Sequence, residues 1–305
     1  MERIPYLSNF MSEKGCIIPE NFQSSKILDI KNMKKMCKTF NKGVIEYKKS
    51  QSFCIEVPSP ISMANYEFIE NYIYCKIFKR IRNFNKNKPG FSDTVYGEIL
   101  NKGVQRILEK FCLKNNDTLF DMGSGIGLLL LQASATTNVG KVVGIELVKE
   151  EYDFSVQLKD VFMHVMKFGN FKFQENIEFI NGNFFENDNV TKICSEASAV
   201  FIHDISFQPD TLNRIRSDIF YNLRNQVKLI TVQDHYGRFR LTPSKIYSIE
   251  AILTNRDKIN IGRHLSYCSK EQFLHYYEIN RTQLNQYKEK LRIVDERRRT
   301  RNKIK

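Results

Sequence analysis

Asp121-Met-Gly-Ser-Gly-Ile-Gly127 is the stretch on which the reading of this 305-residue chain turns. It follows a short apolar run, Thr118 to Met122 (TLFDM), and leads into Ile126 to Thr136, whose spacing predicts a helix. Gly123 and Gly125 allow a tight turn and a close approach of backbone to ligand, and the helix that follows points its amides the same way. A dinucleotide site would use GxGxxG, with a pyrophosphate at the helix end. Here the spacing is GxGxG, an acid stands at the strand tip, and no Walker lysine follows. Asp121 repels phosphate and suits a cation.

Working outward, Lys141 to Glu146 (KVVGIE) predicts a second strand with its own terminal acid, Glu146. A carboxylate ~20 residues beyond the first glycine turn is where a ribose offers its two hydroxyls. Two acids at adjacent strand tips around glycines fit S-adenosylmethionine, whose ammonium and sulfonium are positive. Gly123, Ser124, Gly125, Gly127 and Leu128 are the candidate loop contacts. After a third strand, Ile177 to Ile180, Asn183 is the candidate for the adenine amino group and Phe184 for stacking on its ring.

Further strands are predicted at Ala199 to His203 and Val227 to Val232. Helices are predicted at Val148 to Phe168, Asp210 to Leu223 and Asn65 to Ile81. Strands alternating with helices argue for an α/β fold with a mostly parallel sheet covered on both faces. Three zones differ in texture: a Lys/Asn-rich, mainly helical basic lobe at 1–90, a catalytic domain at 91–285, and a basic tail at 286–305.

Lys plus Arg number 47 against 34 acids, a formal charge of +13. Such an excess points to a polyanionic partner. The cationic stretch 76–88 and the tail 292–305 are the candidate contacts. At 42% hydrophobic residues the chain is not wholly disordered. No apolar run reaches the ~18 residues of a membrane span, and the first residues lack the pattern of a secretory signal. The seven cysteines form no CxxC pair, so no metal site is expected and a reducing compartment is. No heptad run suggests a dimer, and a monomer is expected.

Upstream of the glycine loop lies Phe91-Ser-Asp-Thr-Val-Tyr-Gly-Glu-Ile99. This Tyr-Gly-Glu element resembles the cofactor-covering loop of the DOT (disruptor of telomeric silencing) family, histone-lysine methyltransferases that lack a SET domain. The glycine loop and Gln132 match as well. Ala199 to Asp210 resembles the family's segment after the fourth strand, and Ser266, Tyr267 and His275 to Thr282 resemble its substrate-channel strands. The likeness covers about residues 91–285. It implies a class I, Rossmann-like methyltransferase with a seven-stranded sheet and a small N-terminal helical lobe. It also implies S-adenosylmethionine as methyl donor and a lysine in the globular core of histone H3, presented on nucleosomes in the nucleus, as substrate. Tyr96, Gly97, Glu98 and Ile99 would cover the cofactor. Phe207, Tyr267 and His275 would wall the lysine channel, and His203 would stand near the transferring methyl, where it could relay the amine's proton.

Four departures accompany the likeness. His203-Asp204 replaces a usual Asn-Asn, Tyr267 a Trp, His275 a Tyr, and Asn183 a frequent acid. Two other readings stay open: an RNA methyltransferase of the same class, which the basic charge fits equally well, and a chromatin-binding protein without turnover, which the His203-Asp204 and His275 departures motivate. Against the first, no Asn/Asp-Pro-Pro-Tyr-like motif follows the fourth strand. His164, His235 and His264 show no constellation in the sequence.

Overall fold

The computed structural model describes residues 60–81, 99–169, 171–237, 242–264 and 270–303, with helical positions at 38, 41–42 and 45–46. Side chains are described to residue 73 in the first helix and to 293 in the last. Tyr96, Gly97, Glu98 and Tyr267 lie outside the described residues, as do the side chains of the 76–88 stretch.

In chain order the elements are α1 (Met63–Ile81), α2 (Asn101–Phe111), β1 (Thr118–Met122), α3 (Leu128–Thr136), β2 (Lys141–Glu146), α4 (Lys149–Phe168) and β3 (Ile177–Asn181). There follow α5 (Asn187–Glu196), β4 (Ala199–Ile202), α6 (Pro209–Arg214), β5 (Lys228–Thr231), β6 (Leu253–Gly262), β7 (Gln272–Ile279) and α7 (Thr282–Lys303). The strands form one seven-stranded sheet in the order β3-β2-β1-β4-β5-β7-β6. The first five are mutually parallel; β7 runs antiparallel to both β5 and β6.

Strand alternation splits the core into two layers. Leu119, Val142, Phe201 and Ile230 face the layer that also holds Ile107 and Phe111 of α2 and Leu158 of α4. Phe120, Val143, Val200 and Leu229 face the other, against Ile193 of α5 and the segment after α6. Ile61, Tyr66, Ile69 and Ile73 belong to the first layer, so α1 packs into the same core as the sheet. Successive strands run outward from β1 in one direction and from β4 in the other. The crevice between their C-terminal ends is therefore the topological switch point, where open α/β sheets bind ligands.

Two segments differ from expectation. The helix expected at 210–223 is α-helical only over α6; it continues as a π turn, Ile215–Ile219, and a 3₁₀ turn, Phe220–Asn222. The wider turn buries Ile215 and Ile219 fully while leaving Arg216 half-buried beside β5. Strand β6, which the apolar pattern did not reveal, is an edge strand with exposed Asn255, Arg256, Asp257 and Lys258. Charged edges of this kind discourage strand pairing with other chains, and they erase period-two patterning.

Candidate functional site

The glycine loop is held almost entirely by its own protein. The amides of Gly123 and Ser124 both donate to Ile145 O, at 2.9 and 3.1 Å. That of Gly125 donates to Glu146 Oε2 at 2.7 Å, and that of Gly127 to Ser124 O at 2.9 Å. Gly123, Gly125 and Gly127 all have positive φ, at 80, 53 and 83°. The loop amides thus bond inward to β2 and within the loop. A pyrophosphate would find these four donors already engaged, which removes the main attraction of a dinucleotide loop.

What the loop offers instead is negative charge. Asp121 and Glu146 are 4% and 7% exposed and line one cleft with Gly123, Ser124, Gly125 and Leu128. Burial, and then the neighbouring Glu146 carboxylate, push Asp121 well above the usual carboxylate range. Two acids buried together favour any ligand that brings a positive charge between them. Glu146 accepts Gly125 N through one oxygen and Val148 N through the other, at 2.8 Å. A carboxylate has about four lone-pair directions, so both oxygens can still accept from a diol. The Ser124 hydroxyl is buried and has no hydrogen-bond partner among the described residues. A Cβ at Gly123 would project toward Phe207 on the cleft wall, 3.9 Å from its Cζ. The residues present therefore fit a compact cationic nucleoside such as S-adenosylmethionine: Asp121 for the ammonium, Glu146 for the ribose.

The other predicted residues distribute as follows. Asn183, Phe184, His203, Phe207 and Ile99 line the same cleft. Asn183 Oδ1 accepts the Phe185 amide at 2.9 Å, closing the turn after β3. Phe184 packs on Phe185 and Phe207, with ring centroids 4.7 and 6.2 Å apart. Burial holds His203 below the ordinary histidine value, against the opposing pull of Asp204. Gly127 caps α3 and does not line the cleft. His275 does not line it either: it pairs with Thr231 across β5 and β7, stacks on Tyr277, and sets Nδ1 3.9 Å from Asp234 Oδ1. Among the described residues no cluster of His, Cys, Asp and Glu could hold a metal ion, and no helix is long and apolar enough to cross a membrane.

Several cleft residues escaped the sequence reading. Glu151, in the first turn of α4, is 3% exposed and lines the cleft. Thr211 and Arg214 of α6 line it too, with the Arg214 guanidinium 4.0 Å from the centre of the Phe185 ring. His235, which has no constellation in the sequence, has one in space. Its Nε2 lies 2.6 Å from Asp204 Oδ2, and Arg216 Nε donates to its Nδ1 at 2.9 Å. No motif joins positions 204, 216 and 235; the nearest signal was the departure at Asp204.

A family model described as "Histone methylation protein DOT1" matches residues 73–278. Several relatives carry the name histone-lysine N-methyltransferase, H3 lysine-79 specific. The one from Caenorhabditis elegans is 28% identical over 167 residues, 54% of this chain and 17% of its own length. The one from Drosophila melanogaster is 25% identical over 209 residues, 68% of this chain and 11% of its own. The chain thus corresponds to a small part of these relatives. Among solved structures, a tRNA (m1A58) methyltransferase from Aquifex aeolicus aligns with a TM-score of 0.41 at 16% identity, covering 59% of this chain and 69% of its own. With two thirds of its length matched by the family model, and the glycine loop and both strand-tip acids inside the matched span, the chain belongs to the DOT1 histone-methylation family.

Proposed function

We propose that this chain is a methyltransferase unit that uses S-adenosylmethionine to methylate a lysine of histone H3 on nucleosomes. The observation that carries the reading is the pair of buried carboxylates, Asp121 and Glu146, facing a cleft whose glycine-loop amides are already bonded. Family membership and the names of the relatives, specific for H3 lysine 79, support the substrate. A nuclear location follows from that substrate.

When bound, the cofactor supplies a methyl group on a positively charged sulfur. The chain's own residues do the rest. Asp121 and Glu146 hold the donor at its charged and ribose ends. Phe184 and Phe207 exclude water from the wall of the cleft. The acceptor lysine is protonated at neutral pH, with an ordinary pKa of ~10.4, and must lose that proton to act as nucleophile. Desolvation in an aromatic channel and a nearby positive charge both favour the neutral amine. His203, kept neutral by burial, is the candidate acceptor for that proton. The remaining contribution is alignment of amine, methyl and sulfur. In this reading Tyr96 to Ile99 cover the donor, Tyr267 contributes to the lysine channel while His275 stands outside the cleft, and residues 91–285 form the catalytic unit with basic segments at either end.

The test is incubation with methyl-labelled S-adenosylmethionine and, separately, nucleosomes, free histones and RNA. Label on nucleosomal H3 supports the proposal. Label on RNA alone replaces the substrate, and donor binding without label on any acceptor replaces the activity with a binding role.

A further inference from the structure

One wall of the cleft is a single segment. His203, Phe207, Thr211 and Arg214 all line it, and they lie between the exit of β4 and the end of α6. The segment is fastened at both ends to the same side chain. At its start, Asp204 Oδ2 meets His235 Nε2 at 2.6 Å, both side chains fully buried. At its end, just inside the π turn, Arg216 Nε donates to His235 Nδ1 at 2.9 Å. Asp204 is anchored further: its Oδ1 accepts the amides of Val232 and Gln233 at 3.0 and 2.9 Å, and its carbonyl accepts Gln233 Nε2 at 2.8 Å. His235 is itself fixed, its amide donating to the Tyr277 hydroxyl at 3.1 Å and its ring lying edge-on to Phe220.

The donors and acceptors of this chain of hydrogen bonds are fully specified. An arginine Nε–H can only donate, so His235 Nδ1 accepts. The imidazole proton is then on Nε2 and is donated to the Asp204 carboxylate. A negative charge and a positive charge face each other through a neutral ring, which satisfies the burial of Asp204. An asparagine in place of Asp204 would turn an NH₂ toward the Nε2–H, and the ring could not reverse its tautomer without setting Nδ1–H against the arginine.

We propose that Asp204, His235 and Arg216 form a polarised clamp that positions the acceptor-side wall, and with it His203 and Phe207, for methyl transfer. They are positioning residues. Asp121 and Glu146, which the reading above gives to the donor, are not members of the clamp. This rests on the methyltransferase reading above, but its hydrogen-bond polarity can be tested without turnover.

The full chain carries the test, with Asp204→Asn, Arg216→Gln and the double variant. A glutamine Oε1 sits as many bonds from Cα as an arginine Nε does. The double variant can therefore run the hydrogen bonds backwards: the introduced asparagine donates to Nε2, and Nδ1–H donates to the introduced glutamine. Nitrogen-15 shifts of His235 should report the Nε2–H tautomer in the parent and Nδ1–H in the double variant. Asp204→Asn alone should lower kcat on nucleosomes about tenfold or more, the scale of a misplaced reacting group, and shift S-adenosylhomocysteine affinity less than about threefold; Arg216→Gln alone can turn its NH₂ to Nδ1 and should cost less. The double variant should recover most of the lost kcat, a coupling that independent sites do not show. Additive losses, an Asp204→Asn variant with parental kcat, equal losses of donor affinity, or an Nδ1–H parent would each overturn the clamp. If the parent transfers no label, the functional reading fails, and the tautomer together with recovery of thermal stability in the double variant still decides the clamp.

Discussion

Glu146 Oε2 accepts the Gly125 amide at 2.7 Å, so the acid that ends β2 holds in place the glycine loop that leaves β1. Its Oε1 caps Val148 N at the entry to α4. A single carboxylate therefore shapes the loop and the following turn before any ligand arrives.

Replacing it should affect binding and structure together. Glu146→Ala is expected to weaken S-adenosylhomocysteine binding by ~1–3 kcal/mol, the scale of hydrogen bonds to a charged group. Calorimetric titration measures this, and an affinity within twofold of the parent would remove Glu146 from the site.

Asp121 gives a pH signature. Its pKa in the folded, ligand-free protein is raised by burial and by Glu146. The folded chain therefore keeps a proton that the unfolded chain, titrating near ~3.9, has already released. Ligand-free stability should fall as pH rises from that unfolded value through the raised folded one, then level off. Cationic donor binding favours the ionised form, so affinity should rise through the same window. Asp121→Asn should flatten both curves, stabilise the ligand-free protein, and weaken binding by about tenfold or more, ~1.4 kcal/mol. Thermal melts and titrations across pH read both effects.

His203 should govern the acid limb of the rate. Burial lowers its pKa below the ordinary ~6.5. If it accepts the amine's proton, kcat should fall as pH drops through that lowered value. His203→Asn should lose this limb and about tenfold or more in rate. A parental pH profile in the variant would leave His203 a wall residue only.

Gly127→Ala tests the loop's geometry. The residue has φ +83°, and a Cβ would lie 2.4 Å from Phe179 Cζ. Left-handed strain and overpacking together should cost about 2–4 kcal/mol in denaturant unfolding. A loss below about 0.5 kcal/mol would mean that the loop relaxes freely.

Truncation before Arg292 tests the basic end. Leu284 of α7 is 1% exposed, so the helix's anchored first turns survive the cut. Nucleosome affinity should drop, and the slope of log K against log salt should shrink by roughly 0.9 for each phosphate no longer neutralised. An unchanged slope would sink the tail's role.

The β1-loop-α3 unit, its neighbour β2 and the acids at their tips were legible because they are local. Each strand is a short buried run, each acid lies at or next to the end of one, and glycines mark the turn between. Strand β6 was not legible, since its exposed charges hide the period of two. Nor was the π turn, because Asp210 to Leu223 reads as one continuous helix. His235 looked idle, since its partners stand 31 and 19 positions away.

The sequence by itself determined the glycine loop and the two acids beside it: adjacent residues in one loop and two strand tips are brought to one cleft by short-range backbone geometry. Only the tertiary structure decided the cleft wall that runs from His203 to Arg214. There the wall is set by contacts among β4, β5 and the turn after α6, and hydrogen bonds between residues distant in sequence follow from packing, which no local pattern encodes.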